Sequence, residues 1–171
     1  MRFSTAEITK IGLLVAISVI LTRFLSFKMV FMGIEGIRVG LGNFPIVFAG
    51  IVMGPLAGIV TGVLSDIIGY MVSPLGPYMP HFTFNTALVG LIPALLLHNI
   101  YKREKKLSLP LLLFGIGVEE FITVVILLPY FLTSLFGIPA QKIIPAYIIR
   151  AILDTIVFSF VMREFIKRGL I

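Results

Sequence analysis

The sequence predicts an all-α integral membrane protein built as a bundle of six transmembrane helices. Hydrophobic residues make up 58% of the 171 residues, charged residues make up only 13%, and the mean hydropathy is +1.11. A water-soluble domain of this size needs more charge to cover its surface. A membrane-spanning helix takes about 20 apolar residues, so the chain has room for six spans joined by short connections. We therefore expect a single membrane domain over residues 1–171.

Breaks in the apolar sequence divide the chain into these helices. Gly54-Pro55 indicates a tight turn, and the three prolines within residues 73–80 exclude a helix there. The second segment is short, so residues 35–41 either extend it or form a re-entrant piece. The predicted segments are about 5–25, 42–53, 56–72, 82–101, 107–136 and 140–165.

The distribution of positive charge predicts the orientation in the membrane. Residues 102–106 carry four bases and one acid between segments four and five. Cytoplasmic loops are enriched in Lys and Arg, so we place this run and both termini in the cytoplasm. The bases near the C-terminus agree. Arg23, Lys28 and Arg38 fall in the first outward connection, where they are either an exception to the rule or a basic mouth for an anionic ligand.

Several kinds of chemistry are excluded by residue type. The chain has no cysteine, so disulfides, thiolate metal sites and cysteine nucleophiles are absent. Its two histidines, His81 and His98, are too few for a His-rich metal site. The sequence also lacks a phosphate-binding loop and a Gly-x-Ser-x-Gly motif. We expect no catalytic residue, no bound metal and no ATP on this chain.

Ionisable residues at membrane depth are candidates for function, because charge inside a bilayer is costly. Asp66 shares a helix face with Tyr70, one turn away, and either contacts a ligand or pairs with Arg150. Arg150 and Asp154 are themselves four residues apart, which favours a pair between them. Tyr147 lies one turn before Arg150, where it is placed to line the same cavity.

Segments four and five add further polar and aromatic candidates. His81 and Asn85 are four residues apart at the start of segment four, and Phe82 and Phe84 offer aromatic faces nearby. Adjacent Glu119 and Glu120 point about 100° apart on a helix, with Thr123 on the next turn.

The glutamate pair leaves a second class of function open. It starts the Glu-Glu-x-x-x-Arg pattern of CAAX-processing membrane proteases, although Val124 stands where that pattern has arginine. An intramembrane enzyme using Glu119, Glu120 and His81 is therefore one alternative function. A self-sufficient secondary transporter is another, although it usually needs inverted repeats, and none is evident between the halves.

Three motifs resemble one family of membrane proteins. Residues 38–50, Arg-Val-Gly-Leu-Gly-Asn-Phe-Pro-Ile-Val-Phe-Ala-Gly, followed by Met53-Gly-Pro55, resemble the second-helix block of the substrate-binding (S) components of energy-coupling factor (ECF) vitamin transporters. Residues 62–69, Gly-Val-Leu-Ser-Asp-Ile-Ile-Gly, are similar to their third helix. Residues 74–83, Pro-Leu-Gly-Pro-Tyr-Met-Pro-His-Phe-Thr, resemble a loop of the folate-type branch.

The resemblance implies a high-affinity capture subunit of an ATP-driven importer in a prokaryotic plasma membrane. Such a subunit binds a vitamin, here folate or a related heterocycle, near the outer face and is not an enzyme. Its partners are a transmembrane coupling (T) subunit and two ATPase subunits, which bind the ATP. The small residues Gly12 and Ala16 match the position that docks on the coupling subunit.

The ligand suited to these residues is a flat ring with hydrogen-bonding edges. Carboxylates and Asn85 pair with ring N–H groups, aromatic side chains stack on the ring, and Arg38 and His81 meet a carboxylate tail. The predicted ligand-binding residues are Arg38, Asn43, Asp66, Tyr70, Tyr78, His81, Phe82, Asn85, Glu120, Thr123, Tyr147 and Arg150.

Overall fold

A computed structural model describes residues 3–31, 34–74 and 77–169, with the side chains of residues 27–39 outside the description. A turn of 3₁₀ helix spans Leu41–Asn43, and two π-helical segments, Ala94–His98 and Phe121–Leu127, each join two α-helices. The α-helices are α1 Thr5–Arg23, α2 Phe44–Met53, α3 Pro55–Val72, α4 Pro80–Pro93, α5 Asn99–Glu104, α6 Leu109–Glu120, α7 Leu128–Phe136 and α8 Ala140–Lys167.

Length and composition make five of the described helices candidates for crossing a membrane. A sixth apolar helix, Leu41–Met53, is shorter than these. The long helices coincide with predicted segments one, three, four, five and six, and the short helix coincides with segment two. The five candidates are Thr5–Arg23, Pro55–Val72, Pro80–Glu104, Leu109–Phe136 and Ala140–Lys167.

A two-stranded hairpin lies between α1 and α2. Strand β1, Phe27–Phe31, pairs antiparallel with β2, Ile34–Val39, and Phe27 lies opposite Val39. The prediction that residues 35–41 extend segment two or form a re-entrant piece is therefore wrong for the residues of β2. Both strands are rich in the β-branched and aromatic residues that suit a pleated surface. The backbone of β2 lies beside α8.

The helices α2, α3 and α4 pack closely through small residues. A Cβ atom built on Gly58 would lie 2.5 Å from the carbonyl oxygen of Gly90 and 2.8 Å from the Cα atom of Gly50. Backbone approaches this close are possible only without a side chain. Gly58 and Gly62 of α3 thus lie against the backbone of α4.

A hydrogen bond from Arg23 shows which helix ends lie at the same end of the bundle. Arg23, at the end of α1, donates from Nη1 to the carbonyl oxygen of Ser73, just after α3, at 3.1 Å. The end of α3 and the end of α1 therefore lie at the same end of the bundle. Because α4 starts after the loop that follows α3, its first turn lies at this end as well. The exposed bases of residues 102–106 lie in the last turn of α5 and directly after it, at the opposite end.

Candidate functional site

Five aromatic rings gather where α3 ends and α4 begins, and we call this cluster the aromatic end. It consists of Tyr70, Tyr78, His81, Phe82 and Phe131. The ring centroids of Tyr70 and Tyr78 are 5.3 Å apart, and those of His81 and Phe131 are 5.4 Å apart. Phe82 meets Phe131 edge to face at 6.4 Å. The rings come from α3, the following loop, α4 and α7, so the cluster joins both halves of the chain.

A chain of hydrogen bonds runs through the aromatic end to Asp66. The Thr83 hydroxyl donates to Oδ2 of Asp66 at 2.6 Å, and the Tyr78 hydroxyl lies 2.7 Å from the same Thr83 oxygen. Because Thr83 has one hydroxyl proton and gives it to Asp66, Tyr78 is the donor to Thr83. The alternative prediction that Asp66 pairs with Arg150 is wrong, since Arg150 pairs with Asp154 instead.

A second polar group, which we call the buried polar core, lies where α6 meets α8. It consists of Glu119, Glu120, Thr123, Arg150 and Asp154. Both glutamates are 0% exposed. Thr123 donates to Oε1 of Glu119 at 2.8 Å, and Nε of Arg150 lies 3.2 Å from Oδ2 of Asp154. Two adjacent residues are both buried here because α6 packs against α4 on one side and α8 on another.

Some buried acceptors in the buried polar core and on α4 have no hydrogen-bond partner in the described part of the chain. They are Oδ1 of Asn85, Oε2 of Glu119 and both carboxyl oxygens of Glu120. Buried polar groups are nearly always hydrogen-bonded in folded proteins. Unpartnered buried acceptors in a pair of neighbouring helices are therefore candidates for contact with a ligand.

The remaining predicted residues lie around these two groups. Tyr147 is buried one turn from Arg150 and packs in an apolar cluster with Val124 and Ile143. Asn43, in the turn before α2, is half-buried. The Arg38 side chain lies outside the described residues, although its backbone belongs to β2. Phe84, which was expected to offer a stacking face, is 59% exposed and makes no ring contact with the described residues of the aromatic end.

The proposed protease-like combination of His81 with the glutamates does not form one centre. His81 contacts Phe131, which follows Glu120 by eleven residues on the continuous helix Leu109–Phe136. A helix rises 1.5 Å per residue, which places these groups roughly 16 Å apart along the axis. Within the described ranges, no group of three or more His, Cys, Asp or Glu side chains is arranged to hold a metal ion.

Comparison with known proteins identifies the family. Residues 2–168 match the family model described as the S component of ECF-type riboflavin transporters. The chain belongs to this family of S components. The resemblance of residues 38–83 to S components is confirmed, and the family is one of membrane transport proteins rather than enzymes.

Individual relatives add detail. The folate transporter FolT of Clostridium novyi (strain NT) is 29% identical over 105 residues, which are 61% of this chain but only 55% of that protein. A solved S component of a bacterial ECF transporter superposes with a TM-score of 0.70 at 28% identity, covering 94% of this chain and 95% of its own. A crystal structure of FolT bound with folic acid has a TM-score of 0.77 at 20% identity, with 96% and 93% covered, and shows the shared fold.

In this S component, the predicted docking residues lie on the outer face of α1. Gly12 and Ala16 are exposed, whereas Ile11, Val15 and Val19 on the other face are buried against the bundle. A Cβ atom built on Gly12 would meet nothing within 4 Å. The pair therefore takes no part in close packing within the described bundle, and its role in docking stays a prediction.

Two residues here were not predicted as site residues: Phe131, which belongs to the aromatic end, and Thr83, which hydrogen-bonds to Tyr78 and Asp66. Thr83 is the last residue of the loop motif of residues 74–83, and its place in that motif was the available signal. Phe131 lies about 50 residues further along the chain and reaches His81 and Phe82 only because α7 packs beside α4. Nothing in the local sequence around Phe131 marks that contact.

Proposed function

We propose that this S component captures a flat heterocyclic vitamin, folate or a related ring, and delivers it inward with an ATP-driven ECF module. The family match over residues 2–168 carries the proposal. The family name refers to riboflavin, whereas the curated relative is a folate transporter, and both vitamins carry a fused aromatic ring. The ligand would bind at the aromatic end.

The chemistry of the aromatic end supports a ligand of this kind. Tyr70 and Tyr78 offer ring faces on which a flat heterocycle can stack, and Asp66 is half-buried beside them. A carboxylate in a partly dehydrated site binds ring N–H groups more strongly than it does in water. Oδ1 of Asp66 remains for such a contact, because the bond from Thr83 uses Oδ2.

We further propose six spans, with both termini in the cytoplasm. The helix Leu41–Met53 would be the second span, entering from the hairpin side. The exposed basic run of residues 102–106 would face the cytoplasm, where Lys and Arg are enriched. This orientation puts the aromatic end and the hairpin at the outer surface, in a prokaryotic plasma membrane.

The proposed partners are a transmembrane T subunit and two ATPase subunits. The exposed small residues Gly12 and Ala16 support docking at α1, because small residues let two membrane helices approach closely. Replacing Gly12 with Trp should leave ligand binding intact and prevent co-purification with the T subunit. Ala6→Trp, on the exposed first turn of α1, is the matched control. Full co-purification of the Gly12→Trp variant would overturn the docking assignment.

Binding of a vitamin to the purified chain is the decisive test of capture. We expect saturable binding of folic acid or of riboflavin by the chain alone, and uptake into vesicles only when the T subunit, both ATPases and ATP are present. If neither vitamin binds, the proposal of a flat-ring vitamin is wrong. Uptake by the chain alone, driven by an ion gradient, would instead support a secondary transporter.

A further inference from the structure

We propose that the exposed bases at one end of the bundle form a binding surface for the headgroups of anionic phospholipids. We call this surface the basic end, and it consists of the four bases of residues 102–106 together with Arg163, Lys167 and Arg168. Its ligand is a negatively charged glycerophospholipid, such as phosphatidylglycerol. The inference goes beyond vitamin capture, because it assigns a lipid partner to a surface at the other end of the bundle from the aromatic end.

The concentration of charge at this end is the first observation. Residues 102–106 and 163–168 contain seven bases and two acids, a net charge of +5, whereas the whole chain has a formal net charge of +6. All seven bases are exposed. Clusters of roughly four to eight bases just outside a membrane helix attract anionic lipids, and each base near the surface strengthens binding about fivefold. The basic end therefore has the charge of a surface that binds anionic headgroups.

The two parts of the basic end lie at the same level of the bundle, which is the second observation. The membrane helix that begins at Leu109 starts just after residues 102–106, and α8 returns beside it. A Cβ atom built on Gly117 would lie 3.5 Å from Cγ2 of Thr155. Leu109 lies eight residues before Gly117. Arg163 lies eight residues after Thr155, so the start of α6 is level with the bases of α8.

Most of these bases have no acidic partner, which is the third observation. Among the described residues, Arg168 is the only base of the basic end in an ion pair, with Glu164 at 3.5 Å. Nζ of Lys105 lies 5.3 Å from the centre of the Tyr101 ring. Free guanidinium groups bind phosphate oxygens in pairs, and ammonium groups bind them as point charges. A phosphate group would supply the negative charge that the neighbouring side chains do not.

Exposed apolar side chains beside the bases favour a lipid over other anions. Phe160 is exposed about one turn before Arg163, and Leu95 is exposed about two turns before Lys102. A phospholipid carries its charge and its apolar chains in the same order, so its headgroup meets the bases while its acyl chains cover these side chains. A free phosphate has no apolar part, and an acidic protein arriving from water would meet only the bases.

The test measures how well phospholipids displace a tail-labelled fluorescent phosphatidylglycerol from the purified full chain in a neutral detergent. Unlabelled phosphatidylglycerol should displace it at least about tenfold better than zwitterionic phosphatidylcholine does. Added salt should reduce this difference, because salt screens exposed charges.

Substitutions locate the surface. Lys102→Gln, Arg103→Gln and Lys106→Gln, combined in one variant, should weaken the binding of phosphatidylglycerol at least about tenfold. Lys105 stays unaltered, because its side chain also packs on Tyr101. Lys142→Gln is the matched control and should have little effect, because Lys142 is an exposed base in the first turn of α8, far from the basic end.

A preference for phosphatidylglycerol that the triple variant loses and Lys142→Gln keeps supports the inference. Equal displacement by the two phospholipids overturns it in the unaltered chain, so a variant that fails to fold does not block the test. Equal effects of the triple variant and Lys142→Gln overturn the placement at the basic end. If glycerol 3-phosphate, which has no acyl chains, displaces the label as well as phosphatidylglycerol does, the surface binds free phosphate instead of lipid. Stronger displacement by polyglutamate would assign the surface to an acidic protein and overturn the inference as well.

Discussion

The two halves of the bundle are held together in different ways. In α2, α3 and α4, backbone lies against backbone at glycines such as Gly58 and Gly90, and Val47 and Val89 are almost completely buried. Between α6 and α8, the interior instead contains the carboxyl and guanidinium groups of the buried polar core. The first half gains close packing, and the second half retains charge at a depth where charge is costly.

This difference separates a close-packed region of α2, α3 and α4, which we call the scaffold, from a polar region between α6 and α8. Close glycine contacts leave no space for a ligand, and a helix that cannot move without losing them is a rigid support. Polar groups in an apolar interior usually weaken a bundle, so the buried polar core stays a candidate functional region. The aromatic end joins the two regions, because Tyr70 comes from the scaffold and Phe131 from the helix of the buried polar core. Substitutions should therefore act differently in the two halves.

Breaking the ion pair of the buried polar core should have the largest effect on stability. The side chains of Arg150 and Asp154 are only 12% and 7% exposed. Replacing Arg150 with Met would leave Asp154 buried without a counter-charge, which costs about 3–5 kcal/mol. We expect a clear fall in the melting temperature, followed by circular dichroism of the detergent-purified chain.

A surface pair provides the control for this experiment. Arg168 and Glu164 are also four residues apart on α8, but their side chains are 72% and 50% exposed. Exposed pairs contribute about 0–1 kcal/mol, so Arg168→Met should barely change the melting temperature. Equal effects of Arg150→Met and Arg168→Met would show that burial does not strengthen the inner pair.

The scaffold half should respond to added volume. A Leu side chain at Gly58 would be forced against the backbone of α2 and α4, with its Cβ 2.5 Å from the carbonyl oxygen of Gly90. Overpacking of a close-packed interior typically costs about 1–3 kcal/mol, and backbone neighbours cannot turn aside as side chains do. We expect a lower melting temperature and a poorer yield of monodisperse protein.

Gly12 is the matched control for Gly58. It lies on the exposed face of α1, with open space around its position. Gly12→Leu should leave the melting temperature unchanged or raise it slightly, because glycine within a helix costs about 1 kcal/mol relative to better helix formers. If Gly58→Leu is tolerated as well as Gly12→Leu, α2, α3 and α4 do not pack by backbone contact.

The helices could be predicted from sequence, because their signals are local. Long apolar runs give the spans, and Gly54-Pro55 separates α2 from α3 by combining a backbone φ of 106° with a residue that starts helices well. The hairpin was missed. Its strands are short. Because Lys28 and Arg38 are basic, we interpreted the residues between α1 and α2 as a charged connection.

The site was only partly predictable, because its contacts join distant parts of the chain. Tyr70 and Asp66 share a helix face, which their spacing reveals. The choice of Thr83, seventeen residues further on, as the partner of Asp66 depends on how α3 packs on α4. Spacing also indicated the pairing of Arg150 with Asp154, which is confirmed. Spacing in the sequence could not show that both Glu119 and Glu120 would be buried.

The smallest expected effect concerns the link between the scaffold and the aromatic end. Thr83→Val keeps the side-chain shape but removes the hydroxyl that joins Tyr78 to Asp66. A lost buried hydrogen bond that leaves its partner unsatisfied costs about 1–3 kcal/mol, and a half-buried carboxylate with some access to water belongs at the lower end of that range. Thr9→Val is the control, because the Thr9 hydroxyl is exposed and bonds only within α1. If Thr83→Val lowers vitamin affinity by more than it lowers stability, the hydrogen bond orients Asp66 for the ligand. If Thr83→Val and Thr9→Val have equal effects on vitamin affinity and stability, the Thr83 hydrogen bond is no more important than an ordinary surface contact.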